Sequence, residues 1–91
     1  MRDYEAVFVF RSEDELYGRG KQLVTEEFTK AGVQITTEED MGNRELAYPI
    51  KSESRGHYYF YDAQIPPDKV VDINAAVRLM DPVLKCLFVR K

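Results

Sequence analysis

One histidine, His57, and one cysteine, Cys86, are the only side chains of their kind in this 91-residue chain. A zinc centre needs three or four nitrogen and sulfur donors, so one of each does not make one. A single thiol also excludes an internal disulfide, and a lone cysteine within an apolar strand reads as a small apolar core residue. Ser12, Ser52 and Ser54 fall at a helix start and in a turn, where hydroxyls satisfy backbone groups, and His57 has no evident partner among them. Neither nucleophilic catalysis nor a zinc centre is expected. What remains is the chemistry of contact. Arginines and lysines can meet phosphates or carboxylates, and aromatic and branched side chains can cover apolar surface.

The distribution of charge bears on that contact. The net charge is −3. Residues 12–40 hold eight acids against three bases, residues 41–91 six acids against eight bases, and residues 1–11 balance. Acidity is concentrated on one segment, which leaves room for a modest basic surface elsewhere. The charged start "MRDYEAVF" has no apolar run of the kind a signal peptide needs, and no stretch approaches the ~20 apolar residues of a membrane span. A soluble, cytoplasmic single domain over residues 1–91 is expected.

The elements that must position these groups follow from periodicity. "YEAVFVF" (4–10) alternates as a strand, with Ala6, Phe8 and Phe10 on the buried face and Val7 and Val9 on the more open one. Ser12 and Glu15 fit a capping box. The helix behind them carries Leu16, Leu23, Val24, Phe28 and Ala31 on one stripe and stops at Gly32. Gly18 and Gly20 weaken it, and the sequence leaves open whether they serve close packing or a bend. An extended segment runs from Val33 to Ile50, with a bulge or bend expected at Gly42. Pro49 has no N–H to donate, which makes this segment an edge strand or a strand end. "SESRG" (52–56) reads as a turn and "HYYFYDAQI" (57–65) as an aromatic strand. "PPD" opens a second helix with Val70, Ile73, Val77 and Met80 on one face. Pro82 ends it, and "VLKCLFV" (83–89) forms the last strand.

The order strand, helix, strand, strand, helix, strand fits a ferredoxin-like α+β sandwich, βαββαβ, with a four-stranded antiparallel sheet and two helices on one face. The other sheet face stays uncovered. Strand phase puts Tyr59, Tyr61, Ala63 and Ile65 under the helices and Tyr58, Phe60, Asp62 and Gln64 on the open face. Cys86 and Phe88 point inward, while Lys85, Leu87 and Val89 point outward. An apolar open sheet with basic residues around it marks a contact surface, either for a partner or for a second copy packed sheet to sheet.

Two other readings of this fold fail on particular residues. "RGHYYFYD" (55–62) partly fits an RNA-recognition-motif signature, but the positions that must stack on bases, His57 and Tyr59, fall on the helix side, and Tyr58 replaces the small residue between them. An acylphosphatase would need a glycine-rich anion cradle after the first strand, where this chain has "RSEDEL".

"MRDYE" at the start, "GNRELAYPIK" (42–51), "RGHYYFY" (55–61) and "RLMDPVLKCLFVRK" (78–91) together resemble the family of bacterial small-subunit ribosomal protein six, in order and over essentially the whole chain. The block from Arg44 to Ile50 is its most specific part. The resemblance implies the ferredoxin-like fold, no catalysis and no cofactor. It also implies a structural role on the ribosome, binding the central domain of small-subunit ribosomal RNA together with ribosomal protein eighteen of that subunit. No membrane and no small-molecule substrate are implied. Carried over to this chain, Arg2, Tyr4, Lys85 and Arg90 are the RNA-binding candidates. Lys85 stands where members often have arginine, and Asn43 replaces the first of two arginines common before the block. Arg44, Leu46, Tyr48, Tyr58 and Phe60 are the candidates for the protein partner. Many members continue into a polar or acidic tail beyond the position of Lys91. The alternative is a small homo-oligomeric ferredoxin-like interaction or ligand-binding domain. Given the negative net charge, the free protein is expected to bind RNA poorly and to depend on its partner's positive charge.

Overall fold

Phe8 and Phe10 lie one strand period apart on the first strand and are both fully buried, and the rest of the core is assembled around them. The computed structural model describes Met1–Lys91. Its elements are β1 (Arg2–Arg11), α1 (Asp14–Lys30), β2 (Gln34–Ile50), β3 (Glu53–Ile65), a 3-10 turn (Pro67–Lys69), α2 (Val70–Arg78) and β4 (Val83–Arg90). The sheet is antiparallel with strand order β2-β3-β1-β4, and the two helices give the ferredoxin-like βαββαβ arrangement expected from the sequence. No helix is long and apolar enough to cross a membrane.

The core joins Ala6, Phe8 and Phe10 of β1 to Val24 and Phe28 of α1, Tyr59, Tyr61, Ala63 and Ile65 of β3, Ile73 and Val77 of α2, and Cys86 of β4. These are the inward phases read from the sequence. Phe8 meets Tyr61, Phe28 and Phe88 edge to face at 5.5–6.0 Å between centroids, a geometry that ring quadrupoles favour. The Cys86 thiol is buried and donates to Asn74 Oδ1 (3.2 Å), and burial pushes its pKa up. It is a packed side chain, not a reactive one.

Helix α1 ends as Gly32 predicts. Gly32 has φ +78°, the Val33 N–H donates to Phe28 O, and the Gly32 N–H donates to Thr29 O, which is a Schellman termination. Its start differs from expectation. The N-cap is Glu13 with no side-chain hydrogen bond, so Ser12 and Glu15 form no capping box; Asp14 and Glu15 instead stand in the positive first turn. The glycine pair also divides. A Cβ on Gly20 would come within 2.6 Å of the Phe10 ring and 3.0 Å of Pro82, so this glycine serves close packing, whereas Gly18 faces open space.

The turn expected over 52–56 is shorter and earlier. Ile50 pairs with Glu53 across Lys51 and Ser52, both at positive φ, which is a two-residue hairpin matched to strand twist. Residues 53–56 belong to β3. Three side chains fasten this hairpin to the rest of the sheet. Arg11 donates to Glu53 Oε1 (3.0 Å) and to the Asp81 carbonyl (2.9 Å), and Lys51 donates to the Val83 carbonyl (2.9 Å). Strand β2 lies at the sheet edge and Pro49 falls where its pairing to β3 is interrupted, so the missing N–H costs no ladder bond.

Candidate functional site

The uncovered sheet face carries a groove of about 320 Å³ lined by Val7, Val9, Leu46, Tyr48, Tyr58, Leu87 and their neighbours, with Lys85 as its one charged wall. Its floor is a second, smaller apolar cluster of Val9, Leu46 and Leu84, with Ile50 and Tyr58 packed on it. Leu84 reaches this face because β4 is irregular at its start. Phe10 pairs with Val83 but Val9 with Lys85, so one extra residue is accommodated between them. Val83 thus stays in the helix-side core while Leu84 joins the opposite face.

Gly56 makes the floor possible. A Cβ there would lie 2.4 Å from Val9 Cγ1 and 3.4 Å from Leu46 Cδ2. The sequence suggested only a turn glycine; its register opposite Arg11 and Arg44 shows a strand glycine that lets two side chains from flanking strands meet over it.

The five partner candidates fall together on this face. Leu46 is 9% exposed and is floor, not surface, whereas Tyr48 is 75% exposed at the groove mouth. Arg44 lies over the Tyr58 ring, 5.9 Å from guanidinium carbon to centroid, in reach of a cation–π interaction. Phe60 is half-buried one pair further along the open face, opposite Val7 and Glu39. Neither Arg44 nor Lys85 has a carboxylate partner. The groove therefore offers an apolar floor with two unpaired cations.

The four RNA candidates do not share one place. Arg2 and Arg90 are exposed, free of ion pairs, and lie at the far end of the sheet from the groove, where Arg90 pairs with Tyr4 in register and Arg2 with Ile65. Lys85 is five residues from Arg90 along β4, roughly 17 Å, and belongs to the groove. Tyr4 is 9% exposed and part of the helix-side core, so it does not present a free ring for stacking. The inward phase it shares with Ala6 and Phe8 was the signal for that. Lys91 is engaged with Asp62 (2.7 Å), which raises its pKa.

On the helix side of the sheet, residues that sequence reading left unconnected form a polar–aromatic cluster. His57 stacks on Tyr17 at 3.6 Å between centroids and 12° between planes. Its Nε2 contacts Asp40 Oδ1, and with an ionised carboxylate as acceptor that nitrogen carries the proton. The Tyr17 hydroxyl donates to Asp40 Oδ2 (3.1 Å) and the Tyr59 hydroxyl to Glu38 Oε1 (2.7 Å). Lys21 lies over the Tyr59 ring at 4.7 Å. Burial, followed by the hydrogen bond to Glu38, pushes the Tyr59 phenol up to about 12. His57 thus has a partner after all; Asp40 is 17 residues away in sequence, which hid the pair.

No group of three or more His, Cys, Asp or Glu side chains is placed to hold a metal ion. Comparison with known proteins shows the family. The family model described as Ribosomal protein S6 matches residues 3–90. The small ribosomal subunit protein bS6 of Treponema denticola is 37% identical over 90 residues, covering 99% of this chain and 97% of that protein. The crystal structure of 30S ribosomal protein S6 from Thermotoga maritima superposes with a TM-score of 0.87 at 20% identity, covering 99% of this chain and 87% of that one. The P2 domain of the Thermotoga maritima chemotaxis kinase CheA also superposes, at 0.68 and 9% identity, covering 99% and 98%. These two structural likenesses speak to the fold alone, which many functions share.

Proposed function

Because the chain belongs to the ribosomal protein S6 family, a family of structural ribosomal proteins and not of enzymes, we propose that it is a component of the cytoplasmic small ribosomal subunit, that it contacts the central domain of small-subunit ribosomal RNA, and that it docks ribosomal protein eighteen in its open-face groove. The end-to-end family match carries the ribosomal reading. The apolar groove supports the docking. Leu87 and Tyr48 are exposed at the groove and supply apolar area for a contact, and Tyr48 is the kind of exposed, rigid aromatic side chain on which interfaces concentrate their energy. Arg2 and Arg90, exposed and unpaired at the opposite end of the sheet, are the residues for phosphate.

Sedimentation of a cell lysate through a sucrose gradient in magnesium tests the ribosomal reading. Co-migration with small subunits that is lost on removing magnesium is the expected result. Recovery only at the top of the gradient would overturn it and favour a self-associating domain. With purified components, Tyr48→Ala is expected to weaken binding to ribosomal protein eighteen by at least tenfold and leave the denaturation midpoint unchanged, because an exposed side chain contributes little to folding.

A further inference from the structure

The face on which the groove segment lies is decided upstream of it, at Asp40. On β3, even-numbered residues from Tyr58 to Gln64 face the open side and odd-numbered ones face the helices. Along β2, Glu38 pairs with Tyr61 and Asp40 with Tyr59, so here the even-numbered residues are on the helix side. Gly42 pairs with Tyr58 and Arg44 with Gly56, so beyond Met41 the even-numbered residues are on the open side. One extra residue, Met41, makes the difference. Because side chains alternate with a period of two, a single inserted residue turns everything after it to the other face.

The insertion is held by side chains. Asp40 Oδ1 accepts from the Gly42 N–H (2.9 Å) and from His57, and Oδ2 accepts from Tyr17. Gly42 has φ +89°, which the bulge needs and which glycine alone adopts without strain. The Met41 carbonyl accepts from Arg44 Nε (3.2 Å), the same guanidinium that overlies Tyr58 at the groove. Without the bulge, Leu46 would leave the floor it shares with Val9 and Leu84.

We propose that Asp40 is the positioning residue of the groove: its carboxylate, gripped by Tyr17 of α1, His57 of β3 and the Gly42 N–H, fixes the bulge at Met41 and thereby turns Arg44 and Leu46 to the open face. The functional weight of this rests on the docking reading above, but its structural content does not, and the test separates the two. In the isotopically labelled full chain, nuclear Overhauser contacts from the Leu46 methyls to Val9 and Leu84 report the face directly, and those between Phe8 and Tyr61 report the core. Asp40→Ala is expected to lose the Leu46 contacts, or to give a second set of signals for residues 42–50, with the core contacts intact. Asp40→Asn, which keeps an acceptor for Gly42, is expected to restore a single set. A single set with Leu46 still on Val9 in Asp40→Ala, even at reduced stability, would overturn the proposal. Should Asp40→Ala not fold, the pair Tyr17→Phe and His57→Phe removes two of the three donors, and the same two outcomes decide. A variant with a displaced Leu46 in a protein that never sediments with ribosomes would sink the docking reading and leave this one standing.

Discussion

Gly56 and Val9 are so close across the β1–β3 pair that the glycine's missing Cβ is the space the valine methyl occupies, at 2.4 Å from where that Cβ would be. Val9 is flanked on its other sides by Leu46 and Leu84, so it can give way only toward the groove. Gly56→Ala is therefore expected to destabilise the fold by about 1–3 kcal/mol, the usual cost of overpacking, and to open the groove floor as Val9 lifts. Urea denaturation reads the first effect. Loss of affinity for ribosomal protein eighteen beyond the change in folded fraction reads the second.

The two glycines of α1 should respond in opposite directions. Nothing lies within 4 Å of a Cβ on Gly18, so Gly18→Ala gains helix propensity and is expected to stabilise by about 0.5–1 kcal/mol. At Gly20 the same gain is outweighed by contact with the Phe10 ring and Pro82. Phe10 is fully buried among Phe8 and Tyr17, so the ring cannot swing away cheaply. Gly20→Ala is expected to lower the thermal midpoint and Gly18→Ala to raise it. Two rises would mean that α1 shifts away from β1 at little cost.

Most of the architecture was legible because it follows from periods of two and 3.6. The inward set on β1, β3 and β4 needed only alternation, the stripe on α2 only the helical repeat, and Pro49 marked the edge. What escaped were features in which one residue breaks a period. Leu84 reaches the open face only through an irregularity in β4, and Arg44 and Leu46 reach it only through the bulge that Gly42 hinted at. Long-range polar pairs escaped too. Asp40 and His57 carry no local mark of each other, and the sequence-level capping box at Ser12 was a correct local pattern that the helix start did not use. Tyr4 is a different case. Its position in the family start suggested RNA, while its own strand phase put it in the core.

Asp40 should also be visible in the acid limb of stability. The hydrogen bond from His57 does most to hold its carboxyl below the ordinary range; partial burial opposes this, and the Gly42 N–H and Tyr17 hydroxyl add to it. The surrounding groups are Tyr17 and Lys21 from α1, His57 and Tyr59 from β3, and Glu38 on its own strand. A carboxyl depressed in the folded state stabilises the fold above its unfolded pKa, about 3.9, and this contribution is lost as pH falls through the lower folded value. The stability difference between the parent and Asp40→Asn is thus expected to be full at pH 6 and to shrink below about pH 4. Because the Asp40 side chain is half exposed, solvent screening keeps the effect modest. Urea midpoints at a series of pH values measure it, and a difference that stays constant down to acid pH would remove the carboxylate's charge from the explanation.

The separation of the cations into two places makes the last prediction. Each lysine or arginine that neutralises a phosphate releases counterions, so it contributes nearly one unit to the slope of log affinity against log salt. Arg2 and Arg90 are exposed and unpaired at one end of the sheet, while Lys85 and Arg44 flank the groove. In the complex with ribosomal protein eighteen, Arg2→Ala and Arg90→Ala are each expected to flatten the slope for a central-domain RNA fragment by about one. Lys85→Ala and Arg44→Ala should leave the slope of the assembled complex unchanged, because these side chains flank the groove and not the phosphate end of the sheet. The isolated protein, with its net charge of −3, should bind the fragment weakly at any salt concentration. If Lys85→Ala flattens the slope and Arg90→Ala does not, RNA crosses the groove, and the partner must be sought on another face, beginning with the edge of β2.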